Sequence, residues 1–262
     1  MSRVSRFLLT KWYLDCLDSN GDGTIIYVAE LDWKALRMRY ASTLVFTGGQ
    51  TKSSTSIRKC ALPECNEDRI SCHLPHLGVT GEWLSSSAPV ERTILENESG
   101  AIHWNCLQPA SKVALTLNGK KMEGHGYAEV LRMTLPPWKL PLKELHWGHF
   151  VSEYDSLVWI DWRGPFSYHI LLNNGTEEVD PSIMEHTVQT PSTRLSLDQS
   201  LVLRSGNLGN TVFTSIRSLA RTIPASILHI NETKWRSHAV LQQAERSSVG
   251  WAIHEVVRWE QE

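Results

Sequence analysis

Two segments of the chain, one near its middle and one near its C-terminus, repeat an unusual combination of residues. Residues 126–129 read Gly-Tyr-Ala-Glu, and residues 250–255 read Gly-Trp-Ala-Ile-His-Glu. Each pattern is typical of a strand that begins with glycine and an aromatic residue and carries a glutamate where an apolar residue is expected. The repetition predicts a chain built from two similar halves.

The composition favours β structure. Eleven tryptophans occur in 262 residues, and many lie beside valine, isoleucine or tyrosine in short strand-like runs. Turn signals separate these runs, for example at residues 20–23, 117–120 and 173–175. Helical periodicity is limited to residues 210–219 and 236–244, and the second segment fits a strand equally well. The sequence therefore predicts an all-β fold of the barrel or sandwich type.

The order of features agrees with a duplication. The first half opens with Trp12 and continues, after a turn, into an apolar strand at residues 24–29; the second opens with Trp147 and continues at residues 156–161. A proline-rich segment, residues 135–141, separates them and favours an extended, rigid linker. We therefore predict two domains, residues 1–137 and 138–262. The alternative is that glycine-aromatic strands recur by chance in a β protein.

Composition also narrows the classes of partner. The net charge is -2, from 26 basic and 28 acidic residues, so the sequence predicts no nucleic-acid binding. No apolar stretch reaches the roughly 18 residues of a membrane span. The odd number of cysteines, 5, is typical of a reducing compartment. We expect a soluble, cytoplasmic protein that does not span a membrane.

Several of these features together resemble one protein family. The Trp-Tyr opening, the Gly-x-Gly-Tyr-x-Glu strand at residues 124–129, the tryptophan-rich second opening and the closing Gly-Trp strand are similar to the carotenoid 1,2-hydratase (hydroxyneurosporene synthase) family and its lipocalin-like relatives. The resemblance implies two consecutive calycin (lipocalin-like) antiparallel β-barrels. It also implies an elongated apolar ligand, often a polyene or isoprenoid, and activities such as water addition to a double bond or ring closure. The chain is shorter than typical members, so the resemblance implies missing loops or strands.

Three acids lie among apolar residues of predicted strands. Side chains alternate along a strand, so Glu129 shares a face with Tyr127, and Glu255 shares one with Trp251. Asp161 shares a face with Trp159. A carboxylate in an apolar interior either pairs with a base or takes up a proton, and a protonated acid is what addition to a double bond requires.

These acids also have a structural interpretation, in which each forms a buried ion pair or hydrogen bond. For the two glutamates, the partners considered are Arg132, Arg163 and Arg258. The symmetry of the repeat favours this interpretation, because both halves carry the glutamate. Asp161 breaks the symmetry, since Ala29 is predicted at its position in the first half.

The candidate catalytic residues are thus Asp161, Glu129 and Glu255. The candidate substrate-binding residues are aromatic or imidazole side chains on the same predicted strands: Tyr27, Tyr127, His146, His149, Trp159, Trp162 and Trp251. Aromatic faces stabilise a developing cation, and a histidine can transfer protons near neutral pH. The alternative for the histidines, including His103, is an ordinary surface or hydrogen-bonded position.

A group of cysteines and histidines raises the question of a metal site. Cys60, Cys65, Cys72, His73 and His76 carry ligand types that zinc prefers. The spacing matches no tight Cys-x2-Cys motif, so we predict no metal. The chain also lacks the hydrolase, metalloprotease and dinucleotide motifs, and we predict no organic cofactor.

The sequence leaves three functions open. The first is a cofactor-independent enzyme that binds an apolar, unsaturated small molecule in a barrel cavity and catalyses hydration, isomerisation or cyclisation in secondary metabolism. The second is a non-catalytic carrier of a hydrophobic small molecule, in which the acids are structural. The third is a scaffold with a filled core. The sequence favours the enzyme.

Overall fold

The computed structural model describes residues 7–34, 36–57, 60–207, 229–244 and 246–259. These residues form strands almost throughout, with short 3-10 turns at Pro75–Leu77 and Pro137–Lys139. The predicted all-β class is confirmed. Residues 236–243 lie in a strand, whereas the helix predicted at residues 210–219 lies outside the described residues.

The chain divides into two compact units, Met1–Leu140 and Pro141–Glu262. In the part of the chain that the structure describes, no helix has the length and apolarity that a transmembrane span requires.

In the part of the first unit that the structure describes, ten strands form one antiparallel sheet. They are β1 (Phe7–Leu17), β2 (Gly23–Trp33), β3 (Leu36–Thr47), β4 (Gln50–Ser56), β5 (Glu64–Asn66), β6 (Arg69–Leu74), β7 (Val79–Ser85), β8 (Val90–Asn97), β9 (Gly100–Leu117) and β10 (Lys120–Met133). Their order in the sheet is β4-β3-β2-β1-β10-β9-β7-β6-β5, and β8 pairs with β9 beside this path.

The described residues of the second unit form nine strands, again in one antiparallel sheet. They are β11 (Glu144–Val151), β12 (Ser156–Arg163), β13 (Tyr168–Asn173), β14 (Thr176–Glu177), β15 (Ser182–Ile183), β16 (Thr187–Gln189), β17 (Thr193–Asn207), β18 (Asn231–Gln243) and β19 (Arg246–Arg258). Their order is β14-β13-β12-β11-β19-β18-β17-β16-β15, which repeats the order β4-β3-β2-β1-β10-β9-β7-β6-β5 of the first sheet. The segment that corresponds to β8, between β17 and β18, lies mostly outside the described residues. In each sheet the first strand therefore pairs with the last.

Each sheet curls around an apolar cluster. In the first, Val28 of β2 and Ala41 of β3 belong to the same cluster as Ile70 of β6 and Trp83 of β7, although these strands lie far apart in the sheet order. In the second, Leu171 of β13 meets residues of β15 to β17 in the same way. We call the face that carries the cluster the inner face of each sheet and the opposite one the outer face.

The register of the first and last strands defines which residues of the two units are equivalent. Glu129 pairs with Tyr13 on β1, and Glu255 pairs with Trp147 on β11. The same register makes Gly124 equivalent to Gly250. A Cβ atom at these glycines would lie only 2.0 Å from the carbonyl oxygen of Leu17 and 2.2 Å from that of Val151, respectively, so both positions require glycine. The duplicated glycine and glutamate are thus structural equivalents.

This register also corrects the sequence alignment of the halves. Tyr13, rather than Trp12, is the counterpart of Trp147, and Val28, rather than Ala29, is the counterpart of Asp161. A shift of one residue moves a side chain to the other face of the sheet. Val28 lies in the inner apolar cluster, so Asp161 occupies an inner-face position.

Candidate functional site

A row of side chains crosses the outer face of the first sheet. Directly paired residues share a face, and the pairing joins Tyr27 of β2, Tyr13 of β1, Glu129 of β10 and Cys106 of β9. All four are buried. Two of them, Tyr27 and Glu129, are residues that the sequence selects as site candidates.

Neutral donors hold the carboxyl group of Glu129. The indole Nε1 of Trp104 donates to Oε2 at 2.5 Å, and the hydroxyl of Tyr127 donates to the same oxygen at 2.7 Å. Trp104 lies on β9, the strand next to β10, so its contact depends on the pairing of the two strands. The acid is therefore oriented from its own strand and from a neighbouring one.

A buried aspartate positions the tyrosines of this group. Asp15 is fully buried; its Oδ2 accepts the hydroxyl of Tyr13 at 2.9 Å, and its Oδ1 accepts the backbone N–H of Tyr127 at 2.9 Å. The register of β10 against β9 shifts on both sides of Ala128, which is a β-bulge. Asp15 satisfies a backbone donor at this bulge. Asp15 is not among the predicted site residues, although strand alternation places it on the face of Tyr13.

The tyrosine rings meet edge to face. The ring of Tyr13 lies 5.3 Å from that of Tyr27 and 5.8 Å from that of Tyr127, within the range of favourable aromatic pairs. The ammonium of Lys11 lies 5.0 Å from the centre of the Tyr27 ring. We call these residues the tyrosine–glutamate cluster: Lys11, Tyr13, Asp15, Tyr27, Trp104, Cys106, Tyr127 and Glu129.

Burial fixes the protonation of two members of the cluster. It raises the pKa of Tyr127 well above its usual range, and the nearby Cys106 and Glu129 raise it further. Burial likewise raises the pKa of the Cys106 thiol well above its usual range. Tyr127 is therefore a neutral hydrogen-bond donor at physiological pH, and Cys106 is not a reactive thiolate.

Glu255, the counterpart of Glu129, has a different partner. It forms an ion pair with Lys234, whose side chain is only 1% exposed. The same ammonium lies 3.8 Å from Glu232 and 5.2 Å from the centre of the Trp147 ring. Glu232 in turn accepts from Arg204 at 2.6 Å. The predicted arginine partners of Glu255 are thus replaced by a buried lysine.

Asp161 and His146 face each other on the inner face of the second sheet. Arg163 donates from Nε to Oδ2 of Asp161 at 2.7 Å and from Nη1 to Glu144 at 3.2 Å. His146 pairs with Glu144. Burial raises the pKa of Glu144, but His146 and the charge of Arg258 outweigh this effect, and the net pKa is lowered. Asp161 is held by a cation.

His254 also lies on this inner face. It is not among the predicted site residues. Its Nε2 lies 2.8 Å from the hydroxyl of Ser237, and its ring stacks on Trp235 at 5.1 Å with an interplanar angle of 19°. Burial lowers the pKa of His254 to about 3, and nearby charged groups, His186 first among them, lower it too. The imidazole is neutral at physiological pH.

The other predicted site residues lie elsewhere. His149 is buried on the outer face beside Trp147 at 5.8 Å, so it does not act with His146 on the inner face. Trp159 belongs to the inner apolar cluster. Trp162 contacts Phe166 at 6.3 Å. Trp251 packs against Arg236 and His238 at 4.5 and 5.3 Å. The predicted residues therefore form several groups instead of one.

The cysteine and histidine side chains of residues 60–76 also separate. Cys60 and Cys72 lie in the inner apolar cluster, whereas Cys65 is exposed. Burial raises the pKa of Cys72 to about 12, and His73 bonds to Thr80 at 2.9 Å. Within the described ranges, no group of three or more histidine, cysteine, aspartate or glutamate side chains is arranged to hold a metal ion.

Solved structures of other proteins share this fold over nearly the whole chain. A putative AttH from Nitrosomonas europaea superposes with a TM-score of 0.55 and 10% identity, covering 97% of this chain and 93% of that one. Kievitone hydratase from Nectria haematococca gives 0.55 and 13%, covering 97% and 89%. CghA, in a structure with Sch210972, gives 0.51 and 7%, covering 97% and 89%.

At these identities the likeness shows the fold alone, and the predicted arrangement of two consecutive β-barrels is confirmed. No protein-family model matches the chain, and no curated protein matches it.

Proposed function

We propose that this protein is a cofactor-independent enzyme that transfers a proton to or from an apolar, unsaturated small molecule. The reaction class is hydration, isomerisation or cyclisation, and the site is the tyrosine–glutamate cluster of the first unit. Glu129 is the residue that gives and takes the proton.

The contrast among the three predicted acids carries this proposal. Lys234 holds Glu255, and Arg163 holds Asp161. An ion pair of this kind accounts for a buried carboxylate without a role in catalysis. The Oε2 atom of Glu129, by comparison, accepts from the neutral groups of Trp104 and Tyr127. Glu129 thus combines two donors that orient its carboxyl group with tyrosine rings on the same face, and we assign the proton transfer to it on this arrangement.

For a hydration, the steps balance as follows. The protonated carboxyl of Glu129 delivers its proton to one carbon of the double bond, and the other carbon becomes electron-deficient. Water adds to that carbon, and the proton that the water loses returns to the carboxylate of Glu129. The net change is the addition of one water molecule. Isomerisation or ring closure uses the same proton delivery, with loss of a proton from a different carbon.

The tyrosines suit the intermediate of this reaction. The rings of Tyr13, Tyr27 and Tyr127 present aromatic faces and edges near Glu129, and an aromatic face stabilises a nearby cation by about 0.5 to 2 kcal/mol. Tyr127 and Trp104 also fix the direction of the carboxyl group, which favours a productive geometry. The fold shared with kievitone hydratase supports the hydration branch of the proposal.

The test uses matched amide variants with a soluble polyene or isoprenoid as the probe. Glu129→Gln should reduce kcat by about 100-fold to 10,000-fold while leaving ligand binding, followed by tryptophan fluorescence quenching, within a few-fold of wild type. Glu255→Gln and Asp161→Asn are the controls, and each should retain turnover once its stability is matched. Products are identified by mass spectrometry.

Two outcomes would count against this function. Unchanged turnover in Glu129→Gln would remove Glu129 from the mechanism. Fluorescence quenching by the probe without any product would instead identify a carrier of hydrophobic molecules, in which the buried acids are structural.

A further inference from the structure

The second unit contains a chain of hydrogen bonds that runs from an exposed hydroxyl to a buried imidazole. Ser200 on β17 is exposed, and its hydroxyl lies 2.6 Å from that of Ser237 on β18. Ser237 is fully buried, and its hydroxyl lies 2.8 Å from Nε2 of His254 on β19. Three neighbouring strands thus contribute one group each.

A local irregularity of β17 produces this alignment. Asp198 pairs with His238 and Leu201 pairs with Arg236, so two residues of β17, Gln199 and Ser200, lie opposite Ser237 alone. Gln199 adopts a left-handed backbone conformation with φ 47°, which is rare for a residue other than glycine, asparagine or aspartate. Such irregularities redirect side chains. Here the irregularity brings Ser200 to Ser237.

At its buried end, the chain of hydrogen bonds reaches the polar part of the inner face. His254 pairs with Gly148, and His146 is two residues from Gly148 on the same face, so the two imidazoles are diagonal neighbours. A Cβ atom at Gly148 would lie 2.7 Å from the Cβ of His254. The Trp159 indole would lie closer still, at 2.3 Å, so the glycine leaves room for the Trp159 ring beside His254.

We propose that Ser200, Ser237 and His254 form a proton relay, and that His254 is the proton acceptor of a second proton-transfer site inside the second unit, separate from Glu129. A proton arrives at Nδ1 of His254 while Nε2 releases its own to Ser237. Ser237 passes its proton to Ser200, and Ser200 passes its proton to water. One proton is transferred, both hydroxyls are restored, and the imidazole ends in its other tautomer.

The surroundings of His254 indicate a concerted transfer. Burial and the nearby His186, Lys234 and His146 lower the pKa of His254, while Glu255 opposes them. A free imidazolium is therefore unfavourable at this position. The relay avoids it, because the proton leaves Nε2 as another arrives at Nδ1.

The charges of the neighbouring layer indicate the class of proton donor. Glu144 and Asp161 are matched by Arg163 and Arg258, through contacts of 2.7 Å for Asp161–Arg163 and 3.2 Å for each contact of Glu144. His146 also pairs with Glu144, and Arg258 also lies 3.8 Å from Glu185. Within the described residues, each of these charged groups therefore has a partner of opposite charge, and none is left to hold an ion. The site suits a neutral molecule with a hydroxyl group, and phenol is the probe of this class.

Hydrogen exchange of the His254 ring tests the relay in the full chain. The exchange rate of the ring N–H with solvent is measured by NMR on histidine labelled with 15N. Ser200→Ala should slow exchange about tenfold, equivalent to roughly 1.4 kcal/mol in the barrier, and Ser200→Thr should restore it. The control is Ser205→Ala, which removes an exposed hydroxyl that bonds to Thr233 at 3.1 Å on the same two strands.

Two further experiments distinguish the relay from its alternatives. Glu129→Gln should leave His254 exchange unchanged, because the two sites are independent. Phenol should shift the His254 ring nitrogens, whereas benzoate, of the same ring size but charged, should not. Equal exchange in Ser200→Ala and wild type overturns the relay. A shift with benzoate alone, or with neither probe, overturns the neutral-hydroxyl site.

Discussion

The two glutamates occupy the same position in their sheets, but they have different neighbours. Glu129 pairs with Tyr13 and receives hydrogen bonds from Trp104 and Tyr127, whereas Glu255 is held by Lys234. The register makes Cys106 the counterpart of Lys234, and Trp104 the counterpart of Glu232. The strand next to the acid, β9 in the first unit and β18 in the second, thus differs in residues that contact the acid.

The difference shows how a repeated backbone can carry two kinds of acid. A buried ion pair keeps its carboxylate ionised and is strongly destabilised when one partner is lost. Trp104 and Tyr127 are uncharged donors that orient the carboxyl group of Glu129. We therefore regard Glu255 as a structural residue and Glu129 as the reactive one, and the variants below test this assignment.

The largest expected effect is the loss of stability when the ion pair of Glu255 is broken. Lys234→Met should lower the free energy of unfolding by about 3 to 5 kcal/mol, because Glu255 and Glu232 would lose a buried cation. Urea denaturation followed by tryptophan fluorescence measures the change. The control is the double variant Lys234→Met/Glu255→Gln, which should recover most of the loss. A loss below about 1 kcal/mol, the value for an exposed pair, would show that Glu255 is not fixed in this way.

The next largest expected effect is on the pH dependence of stability. It concerns His254, which is the counterpart in the second unit of Ala128 on the inner face of the first sheet. The pKa of His254 is about 3 in the folded protein and about 6.5 in an unfolded chain. The unfolded state therefore binds more protons between these values, and stability falls as pH decreases from 6.5 towards 3. The slope is about 1.4 kcal/mol per pH unit, so the loss from pH 7 to pH 5 is about 2 kcal/mol.

Denaturation of wild type and His254→Gln at pH 7 and pH 5 measures this contribution. The variant should lack the part of the acid-induced loss that His254 causes. Identical pH dependence in the two proteins would mean that His254 is not buried in the neutral form.

Much of the fold could be predicted from the sequence. Turn signals and strands rich in tryptophan predicted an all-β chain, and the repeated glycine-aromatic pattern predicted two similar halves. The alignment within the repeat was less accurate: Gly126 was matched to Gly250, whereas the structure makes Gly124 the counterpart. The first half has two glycines in this strand, and Gly124, like Gly250, lies five residues before its glutamate. The aromatic residue after Gly126 made the wrong glycine look equivalent.

The candidate site could be predicted from the sequence only in part. Strand alternation placed Glu129, Glu255 and Asp161 among apolar residues, because alternation is a local property of a strand. The partners that distinguish these acids come from other places. Trp104 and Lys234 lie on adjacent strands, and their contacts depend on a register that no local pattern specifies. His254 was passed over because nothing in its own strand indicates that Ser237 lies across from it.

The smallest expected effect concerns the two donors of Glu129. Tyr127→Phe keeps the ring and removes the hydroxyl, so it should cost about 1 kcal/mol of unfolding free energy. Trp104→Phe should cost more, because it also loses buried volume. The informative quantity is the coupling between them in a double-mutant cycle. Since both donate to the same Oε2 atom, each can compensate in part for the loss of the other, and the double variant should be less stable than the sum of the single changes. Additive losses would show that the two donors act independently on the carboxyl group of Glu129.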